Sequence, residues 1–227
     1  MVLENLINFL DKNYHHKRII KYLRNHKIDS VIDAGAHKGE FLINIISHIP
    51  FKKAYTFEPQ LDVFNILKKK LNNDERIKHN NLALSDIIEK KKITINKLTS
   101  TSSLSEFDNS SFFLKIKNFL LRQKNEELNS YEVTTTTIDD YCEKLDLSNS
   151  LLKIDVEGYE LNVLKGSKNT IKKIKFVLIE NQFFNIYKNN NEKDCHDYLI
   201  KNQFLLIKKF RFPLLHFEDR LYKNSLI

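Results

Sequence analysis

Over the first 25 residues apolar side chains recur at helical spacing, Leu3, Leu6, Ile7 and Leu10, then Ile19, Ile20 and Leu23, which predicts one or two leading helices. From residue 30 the pattern changes to short apolar runs of strand character: SVIDAG (30–35), AYTFEP (54–59), IKHNNLALS (77–85), LLKIDVEG (151–158) and FVLIEN (176–181). Helical periodicity lies between them at 39–48, 60–72 and 160–171. Strand and helix in alternation predict an α/β fold, a parallel sheet covered by helices on both faces. Residues 203–217 read as two short strands broken at Pro213, which suits an antiparallel edge. The expected organisation is an N-terminal helical extension (1–28) and one domain (29–227) with an insertion at about 86–137. The insertion holds the ITINK strand, the TSTSSLS cluster, a helical stretch around FFLKIKNFLLRQKNEEL and the strand YEVTTTT. Such insertions form lids or substrate walls, or simply pad the core.

Composition narrows the function classes. No run approaches the roughly 18 uncharged apolar residues that cross a bilayer, and Glu4 and Asp11 interrupt the start where a signal peptide needs a charge-free apolar run. The expectation is a cytoplasmic protein. Cys142 and Cys195 have no CxxC spacing and read as packing residues. The net charge is +8, carried by Lys more than Arg, and the Lys68–Lys70 and Lys90–Lys92 runs lie apart beside helix or turn signals. A solvated surface explains this better than a nucleic-acid groove, which concentrates Arg and aromatics on one face.

Glycine is the sharpest clue. The chain has 4 glycines where a soluble protein of average usage has roughly 7%, so each survivor marks a place that excludes a side chain. Gly35 and Gly39 fall in VIDAGAHKGE (31–40), a strand–turn–helix segment. Gly35 allows a tight turn and a close approach by a ligand, Gly39 lets the helix pack against the sheet, and helix-terminal N–H groups face whatever lies there. The spacing is not GxGxxG, and Asp33 precedes the first glycine by two positions. A pyrophosphate is repelled by that carboxylate; a cationic sulfonium is not. Glu58, in FEP at the end of the second strand, is placed to bind both ribose hydroxyls, although Glu58-Pro59 also suits a helix start. Asn81, in NNLALSD, is placed toward an adenine edge. In LLKIDVEGYE the strand ends by exposing Lys153, Asp155 and Glu157 toward the crevice where strand order reverses, and charges there are cheaper as functional groups than as unpaired buried ones.

VIDAGAHKGE, FEP, NLALSD, TSSLS, TTTIDDY and above all KIDVEGYELNVLKGS followed by VLIEN resemble the FkbM family of S-adenosylmethionine-dependent methyltransferases over residues 29–181. Phe41 stands where many relatives have a small hydroxyl residue, and His37 and Lys38 occupy variable loop positions. The resemblance implies a Rossmann-like class I methyltransferase fold, a mostly parallel seven-stranded sheet with helices on both faces and an antiparallel C-terminal edge. It implies methyl transfer to a hydroxyl of a small molecule such as a sugar or glycan precursor. The implied cofactor site is Asp33, Gly35, Ala36, Gly39, Glu58 and Asn81, with Asp155, Lys153 and Glu157 as catalytic groups and Ser102 and Ser103 facing cofactor or acceptor. His37 reads as a solvent-facing loop side chain rather than a base.

Methyl transfer to oxygen is an in-line displacement that must also remove the acceptor's proton. A carboxylate of ordinary pKa is a weak base for an aliphatic hydroxyl, so the reaction needs a metal or a raised pKa. Asp155, Glu180 and Asn181 resemble the metal site of catechol O-methyltransferases, and three oxygen ligands suit Mg²⁺, Mn²⁺ or Fe²⁺. Three rivals remain: RNA or DNA methylation, which lacks its Asn/Asp-Pro-Pro-aromatic element here; an inert S-adenosylmethionine-binding module; and a dehydrogenase, which lacks GxGxxG.

Overall fold

The computed structural model describes residues 14–94, 130–182, 192–213 and 217–227. Its elements are α1 (His16–Leu23), β1 (Ser30–Ala34), α2 (Glu40–His48), β2 (Lys53–Phe57), α3 (Leu61–Leu71), β3 (Ile77–Asn80), β4 (Ala83–Leu84), β5 (Lys90–Thr94), β6 (Ser130–Thr136), α4 (Ile138–Cys142), β7 (Ser150–Ile154), α5 (Glu160–Lys165), β8 (Phe176–Gln182), α6 (Glu192–Lys201), β9 (Phe204–Arg211) and β10 (Phe217–Asn224). Seven strands form one sheet in the order β3-β2-β1-β7-β8-β10-β9. It is parallel from β3 to β8, and β10 runs antiparallel to both β8 and β9. From β1 the chain moves outward to β2 and β3, then returns to lay β7 on the other side, so strand order reverses between β1 and β7.

The period-2 alternation of the central strands sorts their side chains between two apolar layers. Val31, Leu151, Leu178 and Leu221 pack with α1 (Ile19, Ile20, Leu23) and α2 (Phe41, Leu42, Ile45). Ile32, Leu152, Ile154, Val177, Ile179 and Tyr222 pack with α4, α5 and α6. Helix α1 thus shares the core of the sheet. Both cysteines are buried and free, packed in the second layer as the sequence suggested.

Three boundaries differ from the sequence reading. IKHNNLALS is not one strand: β3 ends at Asn80, and β4 joins a separate three-stranded sheet, β4-β6-β5. The break lies where Asn81 turns its amide onto the carbonyls of Glu58 and Pro59, at 2.9 and 3.0 Å. The helix expected at 160–171 stops at Lys165 and a 3₁₀ turn follows at Thr170–Lys173. LLKIDVEG leaves the sheet after Ile154, so Asp155 and Glu157 belong to the loop that follows β7.

The small sheet joins β4 to the two described strands of the insertion, β5 and β6, and it docks through a glycine. A Cβ on Gly166 would lie 1.9 Å from the carbonyl oxygen of Ser85, while the Gly166 carbonyl accepts from Asp139 N–H at 2.9 Å. The KGS and LALSD segments therefore lock backbone against backbone. Gly166→Ala is expected to lower stability by about 1–3 kcal/mol, as overpacking does, in denaturant unfolding of the full chain; an unchanged midpoint would contradict this approach.

Candidate active site

The loops after β1 and β7 meet at the point of strand reversal. Gly35 has φ 77° and Gly39 φ 83°. What approaches Gly35 is the chain itself: an added Cβ would lie 1.8 Å from the Asp155 carbonyl oxygen. At Gly39 it would meet Leu67 and Leu71 of α3, at 2.8 and 3.1 Å, so this glycine admits a neighbouring helix rather than the sheet. The left-handed region is also occupied by His37 (φ 46°) and Glu157 (φ 55°), a conformation that costs a side-chain-bearing residue of order 1 kcal/mol and clusters at functional sites.

Four of the loop amides, those of Gly35, Ala36, His37 and Gly39, are not offered to an anion. Gly35 and Ala36 N–H both donate to the Phe57 carbonyl at 3.0 Å, and Gly39 N–H donates to Ala36 at 2.8 Å. His37 N–H donates to Glu58 Oε2 at 3.0 Å, and Gln60 N–H to Glu58 Oε1 at 2.8 Å. Both Glu58 oxygens thus hold backbone, each with a further lone pair. Burial pushes the Glu58 carboxyl up to about 7, against the pull of these hydrogen bonds. Ala36 is buried between these bonds. His37 is partly buried, with Nδ1 3.4 Å from Glu40, rather than a purely solvent-facing side chain. Tyr131 of β6 lies in the field of Glu58, and burial together with that carboxylate raises its phenol to about 12; sequence reading did not single it out, because nothing local ties residue 131 to residue 58.

Above the apolar tier on the α1/α2 face lies a charged tier. Alternation puts Asp33 beyond Val31, Lys153 beyond Leu151, Glu180 beyond Leu178, and Asp219 before Leu221. Lys153 Nζ is 3.0 Å from Asp155 and 3.5 Å from Asp33. The side chains of Lys153 and Asp33 are 6% and 1% exposed and that of Asp155 32%, so Asp155 alone of the three reaches the crevice. Burial opposes the Lys153 ammonium, but Asp155 and Asp33 outweigh it and hold its pKa above the ordinary value. Lys153 is therefore a fixed cation, not a proton acceptor. Burial raises the Asp33 carboxyl, with Lys153 opposing. Phe41, the departure noted in sequence, roofs this pair, with the Lys153 ammonium 5.5 Å from its ring centroid.

Glu180 pairs across the ladder with Asp219, whose Oδ2 meets His15 Nε2 at 2.6 Å. Gln182 Nε2 donates to Glu157 Oε2 at 2.8 Å and to Glu180 Oε1 at 3.2 Å. Burial, then the charges of Asp155, Glu157 and Asp219, raise the Glu180 carboxyl well above its ordinary value. His15, Asp219 and Gln182 were missed in the sequence because their place depends on the β8–β10 register.

The metal ligands expected at Asp155, Glu180 and Asn181 do not assemble. Glu180 and Asn181 are successive residues inside the regular β8–β10 ladder, so their side chains leave opposite faces of the sheet. Glu180 shares a face with Gln182, while Asn181 is buried on the other. Among the described residues no group of three or more His, Cys, Asp or Glu is placed to hold a metal ion. Ser102 and Ser103 lie outside the described residues.

Replacing Lys153 by Met should strand Asp33 as an uncompensated buried acid and cost about 3–5 kcal/mol in denaturant unfolding. Adding Asp33→Asn should recover part of that loss; equal destabilisation by single and double variants would refute the pairing.

A model of the methyltransferase FkbM domain matches residues 33–212. The 2-O-methyltransferase NoeI of Sinorhizobium fredii is 26% identical over 168 residues, 73% of this chain and 68% of that relative. The crystal structure of a methyltransferase FkbM from Methylobacillus flagellatus superposes with a TM-score of 0.55 at 17% identity, over 86% of this chain and 43% of that one. This chain thus spans less than half of that protein's length. A SAM-dependent methyltransferase from Aquifex aeolicus shares the fold over 96% of this chain and 93% of its own, with a TM-score of 0.52 and 9% identity. No helix among the described residues is long and apolar enough to cross a membrane. With the matched domain covering most of its length and the sheet order as described, the chain belongs to the FkbM methyltransferase family.

Proposed function

We propose that this chain transfers a methyl group from S-adenosylmethionine to a hydroxyl of a sugar or glycan precursor. The observation that carries the reading is the electrostatics of the switch point: the loop amides at 35, 36, 37 and 39 are consumed internally, and Asp33, Glu58 and Asp155 surround the loop. Such a site repels a pyrophosphate and suits a sulfonium, which sets the dinucleotide-dependent dehydrogenase aside. The ribose hydroxyls are assigned to the remaining lone pairs of Glu58, and the adenine edge to Asn81 at the exposed rim. The methionine end is assigned to the crevice beside Asp155, over Gly35 and Ala36.

The acceptor then lies over the β7–β8 side. A row of carboxylates there accepts hydrogen bonds from a polyol, and it disfavours the phosphates of RNA or DNA. The likeness to NoeI, a 2-O-methyltransferase, supports oxygen as the atom methylated. In the reaction the acceptor oxygen attacks the methyl carbon, the carbon–sulfur pair passes to sulfur, and S-adenosylhomocysteine leaves neutral. Asp155 orients the donor, and Lys153 keeps the local negative excess small, so the sulfonium is held without being over-stabilised before it loses its charge. Glu157, gripped by Gln182, lines the acceptor side. The residues do not fit a metal, and no step depends on one.

Calorimetry with S-adenosylhomocysteine, and transfer of labelled methyl from S-adenosylmethionine to a panel of neutral and nucleotide-linked sugars, test this directly. Binding of NADH instead of S-adenosylhomocysteine would overturn it. The Glu58 assignment adds a pH signature. The ionised carboxylate accepts the hydroxyls, and the unliganded group titrates at about 7. Affinity for S-adenosylhomocysteine is therefore expected to be flat above pH 7 and to fall below it, approaching tenfold per pH unit. Glu58→Gln should bind more weakly and lose that slope; a slope surviving in the variant would remove Glu58 from the site.

A further inference from the structure

We propose that Glu180 is the general base that takes the proton from the acceptor hydroxyl. This rests on the reading of the site as an S-adenosylmethionine-dependent O-methyltransferase and assigns it a catalytic residue that sequence had placed as a metal ligand.

The argument begins with register. Asp155 follows Ile154, which pairs with Ile179, and Glu180 pairs with Asp219. Asp155, in the loop just past β7, therefore lies at the end of the sheet beside Glu180, which pairs with Asp219 on the neighbouring strand about 4.8 Å away. Of the three, Asp155 faces the Lys153 ammonium at 3.0 Å and Asp219 is hydrogen-bonded to His15 Nε2 at 2.6 Å. Glu180, in the middle, has no cation within ion-pair distance among the described residues. Its hydrogen bond comes from the neutral Gln182 amide, at 3.2 Å on Oε1. It is partly rather than fully buried, unlike Asp33 and Lys153. A partly buried carboxylate, steadied by a neutral donor and flanked by acids, is built to hold a proton more tightly than an ordinary carboxylate does.

The donor is assigned to the Asp155 side, so a hydroxyl between the two residues has the methyl carbon on one side and Glu180 on the other. As its oxygen bonds to the methyl carbon and the carbon–sulfur bond breaks, the O–H proton passes to a Glu180 carboxylate oxygen. Products are the methyl ether, neutral S-adenosylhomocysteine and a protonated Glu180 that returns its proton to water. No oxidant, reductant or metal enters the balance. Among the described residues, the titratable or charged groups acting on Glu180 are Asp155 and Glu157 from the β7 loop and Asp219 from β10. Behind them stand Lys153, Glu160 and His15.

Transfer of labelled methyl to the responsive acceptor of the sugar panel should fall about a hundredfold or more in kcat in Glu180→Gln, within the range for loss of a general base. Affinity for S-adenosylhomocysteine should stay within twofold, and Glu180→Asp should retain part of the rate. Asp219→Asn, which removes a like charge, should move the acidic limb of the pH–rate profile to lower pH, a shift that a merely structural role would not produce. Wild-type rates in Glu180→Gln with normal S-adenosylhomocysteine binding overturn the proposal alone, whereas loss of that binding in the wild type overturns the reading beneath it. If no panel sugar is methylated, infrared difference titration of the full chain, wild type minus Glu180→Gln, decides. A carboxyl that stays protonated above the ordinary carboxylate range, with a lower onset in Asp219→Asn, is expected. Titration in the ordinary range, near 4.3, would overturn it.

Discussion

A single buried cation constrains the centre of this sheet. Lys153 is nearly sealed from solvent between Asp33 and Asp155, and an ammonium so placed is tolerable only while both carboxylates stay within reach. Asp33 is held by β1 and Asp155 by the loop after β7, so the pairing requires those strands to be neighbours in their observed register, Asp33 opposite Lys153. The same requirement brings the Asp155 carbonyl onto Gly35, where only a hydrogen fits. The two loops that frame the crevice are thus coupled by charge in their side chains and by contact in their backbones.

That coupling explains what was legible in the sequence. VIDAGAHKGE and KIDVEGYE are local segments whose constraints are written in the residues themselves: the left-handed turn lies at Gly35 and Gly39, whereas of the charged strand end Lys153 turns inward and Asp155 and Glu157 belong to the loop after β7. The alternation of strand and helix gave the sheet and the antiparallel edge. What escaped depends on partners distant in the chain. Glu180 and Asn181 look equivalent as neighbouring oxygen donors, yet β8 continues through both because β10 pairs with it, and the pleat then parts them. Asn81 was read in mid-strand, yet it lies past the end of β3, where its amide braces the Glu58 turn across 23 residues. Gly166 was visible as a retained glycine, but its reason, the Ser85 carbonyl, lies 81 positions earlier by sequence number (166 − 85).

Position 41 shows how a residue singled out in sequence takes on a role in three dimensions. A small hydroxyl residue there would leave Lys153 open on one side; Phe41 closes it with an apolar ring that also meets His16 edge-on. Excluding water strengthens the pull of both carboxylates on the ammonium. It also deepens the cost of losing either one.

Two physical routes make a sugar hydroxyl reactive: lowering its own pKa with a metal, or raising the proton affinity of the base. With the metal ligands parted by the pleat, the second route is the one available to the described residues, and it carries a built-in timing. A sulfonium arriving beside Asp155 adds a positive charge near Glu180 and favours its ionised, proton-accepting form. Once the methyl group leaves, the sulfur is neutral and that charge is gone, so the surrounding acids again favour the protonated carboxyl. On the proposed assignment the donor favours ionisation of its own base on binding, and its chemistry favours the base keeping the proton it has taken; the coupling is reciprocal, since an ionised Glu180 would in turn hold the sulfonium more tightly than the neutral product.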